Sequence, residues 1–162
     1  MKNTLNHLWY RAPELLLDYD EYDRKVDIYA LGALIAEMYL FKPLITGDDV
    51  KSQLYKMYAV LGYPRKKDFQ KGYEDAKKTK GYKEFRYPSL PNILEQAPIE
   101  AVDLVMKMMD HDPDQRPDAS DLLRHEFFSE PDVDPRAFIK SRVAKKKNRY
   151  LPSEFDRDSD DS

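Results

Sequence analysis

An all-α fold is predicted by three observations. Apolar residues recur at helical spacing in four separate segments, no run of alternating Val, Ile and Thr marks a strand, and the longest apolar run, residues 28–41, stops at 14 residues with Glu37 inside it. The segment 25–40 is apolar on nearly every side. Ile28, Leu31, Leu34, Ile35, Met38 and Tyr39 cover one broad face, and Val26, Tyr29, Ala30, Ala33 and Ala36 occupy most of the rest. A helix that is hydrophobic all round has to be surrounded, so this segment is the expected hub. Asp27 near its start is then expected to be a buried carboxylate reached by several donors.

The other three segments are one-faced. Residues 49–61 place Val50, Leu54, Met57, Tyr58 and Leu61 together and end at Gly62 and Pro64. In residues 98–110, Ala101, Leu104, Val105, Met108 and Met109 fall at i, i+3, i+4, i+7 and i+8, with Pro98 suited to a first turn. That Met-rich face reads as core. Asp118 and Asp121 open a fourth helix, whose buried side is expected to be Leu122, Leu123, Phe127 and Phe128.

The chain has 162 residues, 41% hydrophobic and 35% charged, enough for one domain with a core. A net charge of -3 argues against a wholesale electrostatic grip on nucleic acid, which is not an expected partner. With no Cys there is neither a disulfide framework nor a thiolate metal site. A membrane span needs about 20 apolar residues, so no membrane association is expected. The first eleven residues lack the apolar core of a secretory signal, and the expected location is intracellular, cytoplasmic or nuclear. Residues 136–149 hold seven basic groups and no acid, whereas residues 150–162 hold five acids and one Arg. Such segregated charge with little to bury reads as a disordered tail, residues 131–162, after a domain of residues 1–130.

Three motifs carry a family resemblance. WYRAPE at residues 9–14, DIYALG at 27–32 and DPDQRP at 112–117 occur in that order, joined by Gly47-Asp48, LGYP at 61–64 and HEFF at 125–128. Together they resemble the second half of a protein kinase domain over roughly residues 5–128. The WYRAPE form and the long segment after LGYP are similar to the CMGC branch containing cyclin-dependent and MAP kinases. AEMYLFKPL, LGYPRKKDF, FRYP and RPDASDLLRHEFF look most like the RCK/MAK-like kinases. The resemblance implies a helical remnant of the kinase lower lobe.

It also implies roles. Glu14 matches the acid of the APE motif and Arg116 the Arg that pairs with it, a fork able to make two parallel charge-assisted bonds. Asp27 matches the acid that accepts backbone N–H groups of the catalytic loop, and Tyr29 stands where many relatives have Trp. Leu8, Trp9, Tyr10 and Arg11 match the substrate-side loop that in this branch favours proline after the phospho-acceptor.

The departures bear on activity. Phosphoryl transfer needs a loop over the phosphates, a Lys on them, an Asp base and an Asp on Mg²⁺. The five glycines make no G-x-G-x-x-G, no His begins HRD, Asp68-Phe69 continues to Gln70, and no VAIK-like Lys occurs. The family uses ATP and Mg²⁺ through a half that precedes WYRAPE, so no catalytic or cofactor-binding residue is expected in this chain. Thr4, His7 and Leu8 replace the Tyr, Thr and Arg of a typical activation segment. The expectation is a fragment of a Pro-directed Ser/Thr kinase, without catalysis on its own, or else a pseudokinase-like protein-binding module. Its partner would be another protein or the missing kinase half, and parts of the hub helix would lie uncovered without one.

The remaining motifs read more plainly. His7, His111 and His125 have no compact metal spacing, and no metal is expected. Nine basic residues interleaved with aromatics over residues 65–87 read as a protein-docking insert or a solvated loop, since stacking platforms for nucleic acid usually sit on a sheet. Lys145, Lys146 and Lys147, with Arg142 and Arg149, read as a solvated stretch balancing the acids after it. Ser153 and Ser159 have the acidic surroundings that an acid-directed kinase accepts.

Overall fold

The computed structural model describes residues 8–67, 69–78 and 89–129. Seven helices follow in order: α1 (Pro13–Leu16), α2 (Lys25–Leu40), α3 (Val50–Leu61), α4 (Gln70–Ala76), α5 (Leu90–Ile93), α6 (Ile99–Met108) and α7 (Ala119–Leu122). Short 3₁₀ turns occupy Pro113–Gln115 and Glu126–Phe128. No strand occurs among the described residues. None of their helices is long and apolar enough to cross a membrane.

Local chemistry explains the boundaries. Pro13 starts α1, where its missing N–H costs nothing. At α3, the Asp49 carboxylate accepts from the Ser52 N–H (2.6 Å) and the Ser52 hydroxyl accepts from the Asp49 N–H (3.0 Å), a reciprocal capping box. The helix closes on Gly62, whose φ of 78° suits a residue without Cβ. α2 ends on Phe41 in the left-handed region (φ 56°), with its N–H bonded to the Glu37 carbonyl at 2.7 Å.

α2 and α6 form the frame. α6 buries Ala101, Val102, Leu104, Val105 and Met108, the side its spacing predicts. The two helices meet at Gly32, where a Cβ would lie 2.8 Å from Met109 Cγ and 2.9 Å from Met108 Cβ. Only glycine permits that approach. On the other flank, α3 contributes Leu54, Met57 and Tyr58 to the core. Ser89 ties α5 to α3 by donating to the Ala59 and Val60 carbonyls (2.7 and 2.9 Å).

Several expectations need correction. α2 is not surrounded: Leu31, Leu34, Met38 and Phe41 are exposed along one side, although Ile28, Tyr29, Ala33 and Ala36 are buried on the other. Asp27 lies on the open side. It is exposed rather than buried and makes no side-chain hydrogen bond among the described residues. α7 is a single turn, so Leu122 is buried while Leu123 and Phe128 are exposed. Asp118 does not cap it with its side chain, because that carboxylate turns to Lys25 (3.1 Å) and Arg24 (3.2 Å). α4 and α5 were not predicted: each is short and carries too few apolar residues to show a period. The tail of residues 131–162 and the altered positions Thr4 and His7 lie outside the described residues.

Candidate functional site

The residues from Leu8 to Arg11 form a turn closed by the Arg11 N–H on the Leu8 carbonyl (3.2 Å). Leu8 is buried, Trp9 and Tyr10 are half-buried, and Arg11 is exposed. The turn is held from two elements. Trp9 Nε1 donates to the Gly47 carbonyl (2.9 Å), while Gln53 of α3 donates from Nε2 to the Trp9 carbonyl (3.2 Å). The same Gln53 accepts the Gly47 N–H on Oε1 (2.6 Å), so one buried amide satisfies both segments of chain it touches. Gly47 has to be glycine here, since a Cβ would sit 2.4 Å from the Gln53 backbone nitrogen. From α2, Glu37 Oε2 accepts the Tyr10 hydroxyl at 2.6 Å, and that bond, with burial behind it, pushes the phenol up to about 12.

The ion pair that the motifs imply is present as well. Arg116 donates from Nη1 to Glu14 Oε1 (2.6 Å) and from Nη2 to Oε2 (2.8 Å), a bidentate fork. The Arg116 side chain is 0% exposed and that of Glu14 2%. Two backbone carbonyls take further donors of the guanidinium, Asp110 from Nε (2.8 Å) and Lys25 from Nη1 (3.1 Å). Its carbon lies 5.1 Å from the Tyr29 ring centre, so the aromatic covers the charge. Burial raises the Tyr29 phenol and keeps it neutral. Lys25 closes the arrangement by donating to the Arg116 carbonyl.

Next to this pair, His111 is buried against α3. Its Nε2 lies 2.9 Å from the Gly62 carbonyl, an acceptor, so that nitrogen carries the hydrogen and Nδ1 has no partner among the described residues. Burial pulls the imidazole down to about 4, so it is neutral at ordinary pH. A polar cavity of about 520 Å³ opens beside it, bounded by Tyr63, Lys67, Phe69, Asp112 and Gln115 among others. His125 is engaged elsewhere, 2.8 Å from Asp103 Oδ2.

The structure thus joins Glu14 to Arg116, fixes the turn of Leu8, Trp9 and Tyr10 through Gly47, Gln53 and Glu37, and leaves Asp27 and Arg11 exposed. Sequence reasoning missed Gln53, Gly47 and Glu37 as parts of the site. Two signals were available: Glu37 is the one acid within an apolar run, and Gln53 is a polar residue beside the apolar face of α3. No three His, Asp or Glu side chains converge among the described residues.

A fold built on α2 and α6, with a Trp-Tyr turn held by Gly47, Gln53 and Glu37 and a buried Glu–Arg fork, defines a class. Residues 1–128 match the protein kinase domain, and the chain belongs to that family. It is similar to "Serine/threonine-protein kinase MAK" of Rattus norvegicus, 38% identical over 125 residues, covering 74% of this chain and 20% of that one. "Cyclin-dependent kinase F-3" of Oryza sativa subsp. japonica is 34% identical over 146 residues, covering 89% and 34%. Among solved structures, a Map kinase from Leishmania major superposes with a TM-score of 0.68 at 28% identity, covering 82% of this chain and 43% of that one. Within the family the sequence is that of a CMGC serine/threonine kinase fragment. The chain spans between a fifth and a third of the length of these two curated relatives.

Proposed function

We propose that this polypeptide supplies the substrate-side part of a Pro-directed serine/threonine kinase and transfers no phosphate on its own. The observation that carries the reading is the turn at Trp9 and Tyr10. It is fixed by Gln53, Gly47 and Glu37, as a surface that seats a peptide needs to be, while the sequence holds no G-x-G-x-x-G, HRD or DFG to place a nucleotide beside it. Its partner on this reading is a polypeptide bearing the Gly-rich loop, HRD and DFG.

Two measurements test it. Mg²⁺ and ATP should leave the melting temperature unchanged and no radiolabel should pass from the γ-phosphate to a peptide. Transfer by the purified chain alone would overturn the proposal. A Ser-Pro peptide should bind more tightly than the matching Ser-Ala peptide, and equal binding would count against the Pro-directed part.

The alternative, a pseudokinase-like protein-binding module, draws on the same preorganised turn, since its hydrogen bonds need no nucleotide. Adding a polypeptide with the nucleotide-handling motifs separates the two: restored transfer supports the kinase reading, and peptide binding without any restored transfer supports the module.

A further inference from the structure

The loop between α1 and α2 is fastened at both ends and unbound between them. At its start Asp18 takes the left-handed region (φ 55°), which a short polar side chain tolerates, and the Tyr19 N–H donates to the Glu14 carbonyl (2.9 Å). The Tyr19 hydroxyl donates to Asp75 (2.9 Å), and the Lys71 ammonium lies 3.5 Å from the same ring's centre. At the far end the Asp23 carboxylate accepts the Lys25 N–H (2.9 Å), an Asx turn that leads into α2. Between these anchors Asp20, Glu21 and Tyr22 are exposed. No backbone N–H from Asp20 to Arg24 meets an acceptor among the described residues.

Tyr22 is 66% exposed, and its hydroxyl has no partner among the described residues. The other described tyrosines differ. Tyr10, Tyr19 and Tyr63 have hydrogen-bonded hydroxyls. Tyr29 and Tyr58 are buried, and Tyr39, Tyr55 and Tyr73 lie inside helices. Charge sets the class of enzyme that fits Tyr22. Asp18, Asp20 and Glu21 precede it and Asp23 follows it, with no basic residue from 18 to 23. Arg24 and Lys25 do not neutralise these acids, because both turn to Asp118 (3.2 and 3.1 Å). Residues 18–24 hold no Ser or Thr, so every hydroxyl there is a phenol.

We propose that Tyr22 is a phosphoryl acceptor for an acid-directed protein-tyrosine kinase, a polypeptide separate from this chain. In the step, the phenol oxygen attacks the γ-phosphorus of that enzyme's ATP and the bond to the β,γ-bridging oxygen breaks. ADP leaves, and the phenol proton passes to the enzyme's aspartate base. The unpaired backbone lets the loop lie along a substrate groove, and a positively charged groove attracts the acids on both sides of Tyr22. The product carries roughly 1.5 to 2 negative charges two residues from Arg24. The Arg24 bond to Asp118 joins two exposed side chains and is weak enough to be exchanged for the phosphate. Tyr22 receives a phosphate rather than transferring one and shares no residue with the Trp9 turn, so this site stands apart from the function proposed above.

The test incubates the full chain with a purified acid-preferring tyrosine kinase and Mg²⁺-ATP, with poly(Glu, Tyr) as positive control, and maps phosphopeptides by tandem mass spectrometry. Tyr22 should be labelled about tenfold or more over Tyr19, which has equally acidic neighbours but a bonded, half-buried ring. Tyr22→Phe should remove most of the label and leave the circular dichroism unchanged, since the ring is exposed. Asp20→Asn with Glu21→Gln should lower the labelling rate about threefold or more. Equal labelling of Tyr19 and Tyr22, or label concentrated on any other tyrosine, overturns the proposal. So does an unlabelled chain while poly(Glu, Tyr) accepts phosphate, or a rate indifferent to the loss of the two acids.

Discussion

Glu14 and Arg116, 102 positions apart in the chain, meet through two parallel hydrogen bonds in a pocket where neither side chain touches solvent appreciably. The fork joins the start of the fold to its end. Three separate segments converge on the guanidinium, because the carbonyls of Lys25 and Asp110 take its remaining donors. Two charges taken out of water gain little net stability as a pair, but stranding either one is costly.

Replacing Glu14 or Arg116 singly by Ala should therefore lower unfolding free energy by about 3–5 kcal/mol. Urea titration followed by circular dichroism measures it. An unchanged midpoint for either variant would contradict the pairing.

Gln53→Leu should cost about 1–3 kcal/mol, because it strands the Gly47 N–H and the Trp9 carbonyl. The only tryptophan, Trp9, reports the change directly. Its emission should shift to longer wavelength as the turn loosens; an identical spectrum and stability would show that the amide does not hold the turn.

Stability should fall in mild acid because of His111. Its folded pKa is about 4 against 6.5 for an open imidazole, so below 6.5 the unfolded chain takes up a proton that the folded chain refuses. The contribution is complete above pH 6.5 and is lost as pH falls towards 4, to the extent of about 3 kcal/mol. His111→Gln keeps a donor for Gly62 and should flatten the slope over that range. Unfolding curves at about pH 7 and about pH 5 that differ equally in both proteins would exclude His111 as the cause.

Gly32→Ala should destabilise by about 1–3 kcal/mol through overpacking where α2 meets α6. Pairing it with Met109→Ala, which removes the atom met at 2.8 Å, should give a total loss smaller than the sum of the two single losses. Strict additivity would place the strain elsewhere.

The long helices were legible because their apolar residues repeat every 3.6 positions over several turns, as in α2, α3 and α6. The ends of α3 were equally plain, for Asp49 and Gly62 are chemical signals in their own right. α4, α5 and α7 are too short for a period to emerge, so Leu123 and Phe128 were placed inside on composition alone. The sidedness of α2 could not be read either: a helix apolar all round says that something should cover it, not which face this chain covers. Asp27 was expected inside for the same reason, and it is exposed. Of the site, WYRAPE and the late Arg pointed to the turn and the fork, whereas Gln53 and Glu37 act through contacts between distant segments that local spacing does not encode.

The fork has a consequence for biosynthesis. A ribosome adding roughly 5–20 residues per second makes Arg116 about 5–20 s after Glu14. Throughout that interval the early acid lacks the guanidinium it pairs with in the fold, and the first helices lack the closing half of their frame. Nascent chains of this protein should accordingly depend on holdase chaperones until the last quarter of the domain is synthesised, and pausing translation before the Arg116 codon should leave them open to protease.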